Sequence, residues 1–349
     1  MQEQRVKGFV SVKPEGYIKP LGVTEITENG TYNVKEYEFA EVNVPVPDVP
    51  DTDTNTLKKL LDFTKSTKYL FYEITTITDL TGLIEYNDTE NVENMTRMFY
   101  GCTMLKNIPL LNTSKVTNME YMFYNGYQLR EVPLFDTSNV TTMKYMFTSC
   151  GWLKDVPPFN MSKVSDCQYM FRYCSGFTIT PQLDTGNVLY LDGMYQNCSK
   201  LKRTRLINTI KATRLSYLFQ ECSNLQLAEI SHYNISSTSY TSYMFGSCYS
   251  LKAVVIRKFG EKYILSSSAF NGCYHILGTT SATYNPEGLQ DGYIYIPRDM
   301  IAILEIASNW SSVATQLRAL EDYTLDGTTT GELDLEKMGL GDLNEWASS

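Results

Sequence analysis

Residues 95–118 read MTRMFYGCTMLKNIPLLNTSKVTN, and residues 119–142 read MEYMFYNGYQLREVPLFDTSNVTT. Set one above the other, the two lines share M-x-x-M-F, a leucine six residues after the phenylalanine, a proline, and a threonine-rich end. Working outward, Phe99, Phe123, Phe147, Phe171, Tyr195 and Phe219 follow at 24-residue intervals, and Phe245 and Phe270 after 26 and 25. A degenerate earlier copy starts near Phe71. A fixed period of this length is the signature of stacked coils. Within a coil, Leu105, Ile108 and Leu110 form L-x-x-L-x-L, the alternation of a short strand with one buried face. Val116, Met119, Met122 and Phe123 lie at i, i+3, i+6 and i+7, which predicts about two helical turns with Thr117 as the cap. The expectation is an α/β solenoid of one strand and one short helix per coil.

One coil cannot stand alone. About eight buried side chains at roughly 1.5–3 kcal/mol each do not offset ordering 24 residues at roughly 1–2 kcal/mol apiece. The stack therefore needs caps at its ends. The reading divides the chain into a β-rich region over 1–50, where Asn29-Gly30 predicts a hairpin, and a linker with an N-capping helix over 51–67. A solenoid follows over 68–278, then a strand-plus-helix cap over 279–323 and an acidic tail over 324–349 that is either disordered or docked on a partner. The cap is read from YIYIP and from DMIAILEIASNWSSVATQLRAL.

A net charge of −9 disfavours a general nucleic-acid binder, which needs a basic field. No apolar run reaches the roughly 18 residues of a membrane span. The first residues lack the apolar stretch of a secretory signal, so the chain is expected to be made in the cytoplasm. With two histidines, no G-x-S-x-G, H-E-x-x-H, P-loop or dinucleotide fingerprint, the chain is expected not to be an enzyme and to take no cofactor.

Columns of the repeat carry the remaining information. Cys102, Cys150, Cys174, Cys198, Cys222, Cys248 and Cys273 share one column, with Gly126 in the missing place; small buried thiols are favoured over disulfides or zinc, because ladder side chains point the same way and no C-x-x-C occurs. In the turn after the strand, Asp88, Asn112, Asp136, Asn160, Asp184 and Asn208 alternate, as do Asn91, Lys115, Asn139, Lys163, Asn187 and Lys211 three residues on. That pattern separates like charges and is expected to set each Asp near a Lys of a neighbouring coil. Tyr121, Tyr145, Tyr169, Tyr217 and Tyr243 are expected on the convex surface, either as a row that stacks on sugars or proteins or as rings half-buried between coils. The outward row of the strand side is read as Leu111, Phe135, Phe159 and Leu183, with Arg203 and Arg205 beside it, and serves either as a binding face or as a surface covered by the chain's own loops or a twin subunit. Lys200, Lys202, Arg203, Arg205 and Arg214 form a basic group, a solvated patch or a seat for an acidic ligand.

The units quoted above, with M-F-x-x-C-x-x-L and F-D-T-S-N-V-T, resemble the BspA-like leucine-rich repeats of bacterial surface proteins and bacteriophage structural proteins. The segment ITENGTYNVKEYEFAEVNVPVP looks like a module of phage tail and baseplate proteins, and GYIYIPRDMIAILEIASNWSSVATQLRALEDY is similar to the segment that closes such repeats there. The resemblance implies a leucine-rich-repeat solenoid and a virion protein of tail, baseplate or fibre that binds a receptor or adheres to the host. Its N-terminal region would hold other virion proteins, and its coils a host surface glycan or protein. It further implies a homo-oligomer, a trimer being one form, with neither nucleic-acid binding nor membrane insertion. A purely structural virion protein and a bacterial cell-surface adhesin are the alternatives.

Overall fold

In the computed structural model, the described residues are 25–27, 31–33, 66–80, 84, 86–277, 291–341 and 343. The expected N-capping helix lies, apart from Ser66, outside them. On either side of Asn29-Gly30, β1 (Glu25–Thr27) and β2 (Thr31–Asn33) pair antiparallel with Ile26 opposite Tyr32, as the dipeptide predicts. The chain divides into two units, Met1–Val164 and Ser165–Ser349.

In the first unit the expected helix is absent. Two residues of every coil, four apart, adopt left-handed backbone: Arg97 and Gly101, Tyr121 and Asn125, Tyr145 and Ser149. An α-helix tolerates neither. The segment instead runs as consecutive β-turns whose N–H groups alternate in direction. Met119, Tyr121, Phe123 and Asn125 donate to Thr142, Lys144, Met146 and Thr148 of the next coil, while Met122, Tyr124 and Gly126 donate three residues back within their own coil. This accounts for the backbone groups that a helix would have paired internally. Phe71, Phe99, Phe123 and Phe147 stack through the centre with neighbouring rings 5.3–5.4 Å apart.

The expected strand is also corrected. Leu105, Ile108 and Leu111 are buried while Leu110 is 49% exposed, so the inward interval is three and not two. Pro109, Pro133 and Pro157 lack the N–H that a ladder requires, and on this side the described residues of the first unit form only an isolated parallel bridge, Asp79 with Asn107. Buried threonines supply what the ladder omits. The hydroxyls of Thr89, Thr113 and Thr137 donate across to the carbonyls of Asn112, Asp136 and Asn160 at 2.9–3.0 Å.

The second unit repeats the turns, with Phe171, Tyr195, Phe219, Phe245 and Phe270 stacked 5.1–5.8 Å apart. True strands appear where proline stops. β3 (Leu227–Ile235), β4 (Ala253–Tyr263), β5 (Tyr293–Ile296) and β6 (Leu317–Ala319) form a parallel sheet in that order. The runs AVVI and YIYI are apolar without alternation, and LAEI is broken only by Glu229, because both faces are covered. Ala228, Val254, Ile256 and Ile294 are buried within the coils, and Leu227, Ala253, Val255 and Tyr295 pack under Leu335, Met338, Leu340 and Leu343. The described part of the expected acidic tail is therefore ordered on the chain's own sheet. Arg257 clamps it, its Nε bonded to Glu229 and its Nη1 donating to the carbonyls of Thr329 and Gly331 at 2.8 and 2.9 Å. Between β4 and β5 lies the one-turn helix α1 (Tyr274–Leu277). The long helix expected after β5 is shortened to α2 (Arg298–Glu305). Trp310, fully buried with its Nε1 donating to Tyr263 O at 2.7 Å, draws the chain inward, and a 3-10 turn over Ser311–Gln316 leads into β6.

Candidate functional site

The left-handed residues of the turns aim a column of side chains at the surface. In the first unit Tyr121 and Tyr145 stack at 4.7 Å, and the Arg97 guanidinium lies 4.4 Å from the centre of the Tyr121 ring. Arg97 also donates to the Tyr69 hydroxyl at 2.6 Å. A parallel row, Tyr72, Tyr100 and Tyr124, stacks at 4.8 and 4.7 Å beside it. Partial burial pushes the Tyr100 and Tyr121 hydroxyls above the usual phenol range, with Arg97 pulling the other way. Tyr121 and Tyr145 are half-buried, each with part of its ring left to solvent.

In the second unit Arg172 covers Tyr169 and Tyr173 at 5.6 and 4.7 Å. Tyr169 lies across Gly193, where a methyl group would sit 2.3 Å from its ring. That explains why glycine interrupts the tyrosine column. Next to it, Asp192 is 2% exposed and meets Arg214 Nε at 2.9 Å; burial raises its pKa, and Arg214 opposes the shift. Tyr217 and Tyr243 stack at 6.0 Å.

The outward row is corrected. Leu111, Phe135, Phe159 and Leu183 are 1%, 2%, 4% and 5% exposed and belong to the core, because the three-residue interval turns them inward. Leu110, Leu134 and Leu206 are exposed instead. Arg203 Nη1 donates to the carbonyl of Leu343 in the docked tail, and Arg205 bonds the Thr180 carbonyl, so both bind the chain itself. The Asp–Lys pairing is corrected as well. Lys115, Lys163 and Lys211 donate to Asn91, Asn139 and Asn187 of the preceding coil. The other alternating column serves a local purpose, since Oδ1 of Asn112, Asp136, Asn160 and Asp184 each accepts the backbone N–H two residues on. Asp and Asn do this equally well.

All eight cysteines are free and buried. The thiols of Cys102, Cys150, Cys198, Cys222, Cys248 and Cys273 donate to the carbonyl of the aromatic residue one coil back at 2.8–3.2 Å. Burial pushes the Cys222 thiol up to about 12. Such thiols are neither nucleophiles nor metal ligands at neutral pH. Among the described residues, no three His, Cys, Asp or Glu side chains converge as metal ligands. His232 contacts Ser231 and His275 contacts Asp291.

A family model described as "Mycoplasma protein of unknown function, DUF285" matches residues 65–182 and 180–276, which is the run of coils. The chain belongs to this family. No curated protein matches the sequence. Among solved structures, a leucine rich cell surface protein from Faecalibacterium prausnitzii A2-165 is 17% identical, with 72% of this chain and 74% of that chain covered and a TM-score of 0.29. A leucine-rich repeat protein from Bacteroides ovatus ATCC 8483 is 11% identical, with 80% and 92% covered and a TM-score of 0.17. Superpositions at those scores establish no common fold, and the solenoid-like reading rests on the coil registers and the parallel sheet.

Within the DUF285 coils, sequence reading located the tyrosine column but missed the row Tyr72, Tyr100 and Tyr124, whose period equals that of the phenylalanines next to them. It also missed Tyr127 and Trp152, which are 56% and 45% exposed at the corner after the cysteine column. No periodicity marks these two, because they stand in adjacent columns, Tyr127 above Gly151 and Trp152 above Gln128, and both columns change residue type from coil to coil. The arrangement offers broad, rigid aromatic surfaces with cations laid on them, suited to contact.

Proposed function

We propose that the chain is a non-enzymatic binding protein that works at a bacterial surface, through adhesion or protein interaction carried by its coils. The observation that carries this is the partly exposed aromatic surface of the first unit, where Tyr72, Tyr100 and Tyr124 stack beside Arg97, Tyr121 and Tyr145. Stacking fixes these rings before any ligand arrives, so little rotamer entropy is lost on contact. The family's Mycoplasma description supports a bacterial setting. Among the described residues, no helix is long and apolar enough to cross a membrane.

Two finer forms of this reading differ in where the protein is carried. A cell-borne adhesin would display the coils from the bacterium that makes it. A virion-borne receptor-binding protein would attach through the N-terminal region that contains the hairpin β1–β2. The test is adsorption of the labelled full chain to bacterial cells before and after enzymatic stripping of surface polysaccharide. Saturable adsorption is expected, and Arg97→Ala with Tyr121→Ala should reduce it. Absence of adsorption would refute the proposal.

A further inference from the structure

In the first unit, a groove of about 380 Å³ opens at the corner where three successive coils meet, lined by Thr103, Met104, Asn125, Tyr127, Gln128 and Ser149. It lies at the small end of the roughly 300–1,000 Å³ range of small-ligand sites. No charged side chain lines it. Elsewhere the stacked turns do carry charge, as where the Asn197 amide donates to the Glu221 carboxylate in the second unit. The side chains of Thr103, Asn125, Tyr127 and Ser149 make no hydrogen bond to any described residue, so amide and hydroxyl groups converge there with their bonding capacity unspent. The Gln128 amide has only the Met104 sulfur, at 3.2 Å.

The groove's wall is fixed. Asn125 adopts left-handed backbone and donates its N–H to Thr148 O at 2.8 Å, which pins the amide at the rim. Tyr127 leans on Gly151, where a methyl group would come 2.8 Å from the ring. The ring is thus held against the next coil while remaining more than half exposed. Trp152, the following residue, carries the Arg130 guanidinium 5.1 Å from its ring and continues the aromatic surface past the groove.

From this geometry we infer that the groove binds a neutral pyranose unit of a surface polysaccharide, stacked on Tyr127 and hydrogen-bonded by Asn125, Gln128 and the flanking hydroxyls. An aromatic face matches the C–H face of a sugar ring, and amides match its hydroxyls as paired donors and acceptors. The missing charge selects against uronic or sulfated sugars, which would lose their hydration without a cationic partner. This inference deepens the binding role proposed above and rests on it.

The test titrates the full chain with mannan, dextran, laminarin and pullulan, and with polygalacturonate as the anionic control, reading tryptophan fluorescence and calorimetric heat. At least one neutral polymer should bind while polygalacturonate does not. Tyr127→Ala should weaken that binding at least tenfold, with Tyr127→Phe within threefold of the parent, and both variants should keep the parent's melting temperature within a few degrees. If none of the four neutral polymers binds, or if Tyr127→Ala binds like the parent, the inference is overturned. Cell adsorption run in parallel separates the two levels. Adsorption that persists in Tyr127→Ala leaves the binding role standing and removes this groove from it, whereas no adsorption by the parent removes the role itself.

Discussion

Replacing Phe123 tests whether stacked rings, and not merely apolar volume, hold the first unit together. The side chain is 1% exposed, lies 5.4 Å from Phe99 and 5.4 Å from Phe147 at interplanar angles of 6° and 7°, and is 6.3 Å from Phe135. Truncation to alanine removes buried area and leaves a cavity between two rings that the coil backbone keeps apart, so Phe123→Ala should cost about 3–5 kcal/mol. Phe123→Leu keeps most of the volume and loses the ring pairs. With two close pairs at about 0.5–1.5 kcal/mol each, it should cost about 1–3 kcal/mol. Equilibrium urea unfolding of the full chain, followed by far-ultraviolet circular dichroism, measures both. Two results would refute the reasoning: Phe123→Leu within about 0.5 kcal/mol of the parent, as for an ordinary surface change, or Phe123→Leu as costly as Phe123→Ala.

Further outcomes follow from other contacts. The buried thiols should not react with a disulfide reagent in the native state at pH 8, and all eight should react in denaturant; rapid reaction of any one marks a thiol outside the ladder. Since burial raises the thiols of Cys102, Cys150, Cys167, Cys198, Cys222 and Cys248 above the unfolded range of about 8.5, stability is full below that pH. It should fall as pH rises from about 9 toward 12, read as a dropping melting temperature. Gly193→Ala should destabilise by about 1–2 kcal/mol from its φ of 60° alone. It should cost more because of the Tyr169 ring, and Tyr169→Ala in the same chain should recover that excess in a double-mutant cycle. Arg257→Ala leaves Glu229 buried without its partner and unclamps the segment after Thr324, at about 3–5 kcal/mol; faster proteolysis near Thr329 is the readout, and unchanged cleavage would count against the clamp.

The period, the phenylalanine and methionine columns and the hairpin at Asn29-Gly30 were all legible in the sequence, because each depends on residue type at a fixed interval. Turn and helix were not distinguishable there. An inward residue every third or fourth position suits both, and the left-handed backbone that separates them falls on Tyr121 and Tyr145, residue types that seldom adopt it. Proline marked the strand side as irregular, and the slip from Leu110 to Leu111, ambiguous where both are leucine, shows only across coils, where Pro158 and Gln182 continue the first column and Phe159 and Leu183 the second. The candidate site was legible to the extent that tyrosine repeats. Its cations, its second row and the uncharged groove at Tyr127 come from coils that differ from one another, and a consensus erases differences. The docked tail was hidden for another reason: Leu335, Met338, Leu340 and Leu343 are apolar residues spaced irregularly in an acidic stretch, with no period to announce a buried face.

The alternation of N–H groups in the turns imposes a grammar on how such a chain can change length. The left-handed pair stays four residues apart from Tyr69 and Glu73 through Tyr243 and Ser247, although the spacing between successive aromatic residues varies from 24 to 28. Adding one residue inside a turn segment would reverse which amides face the neighbour and which face home, and every bond beyond it would lose its partner. Insertions are therefore admitted on the opposite side of the coil, where the chain reaches its neighbour through isolated bridges or extends into a full strand. Lineages of this family should accordingly diversify by gaining and losing whole coils and by lengthening that one side, while the turn side keeps its count.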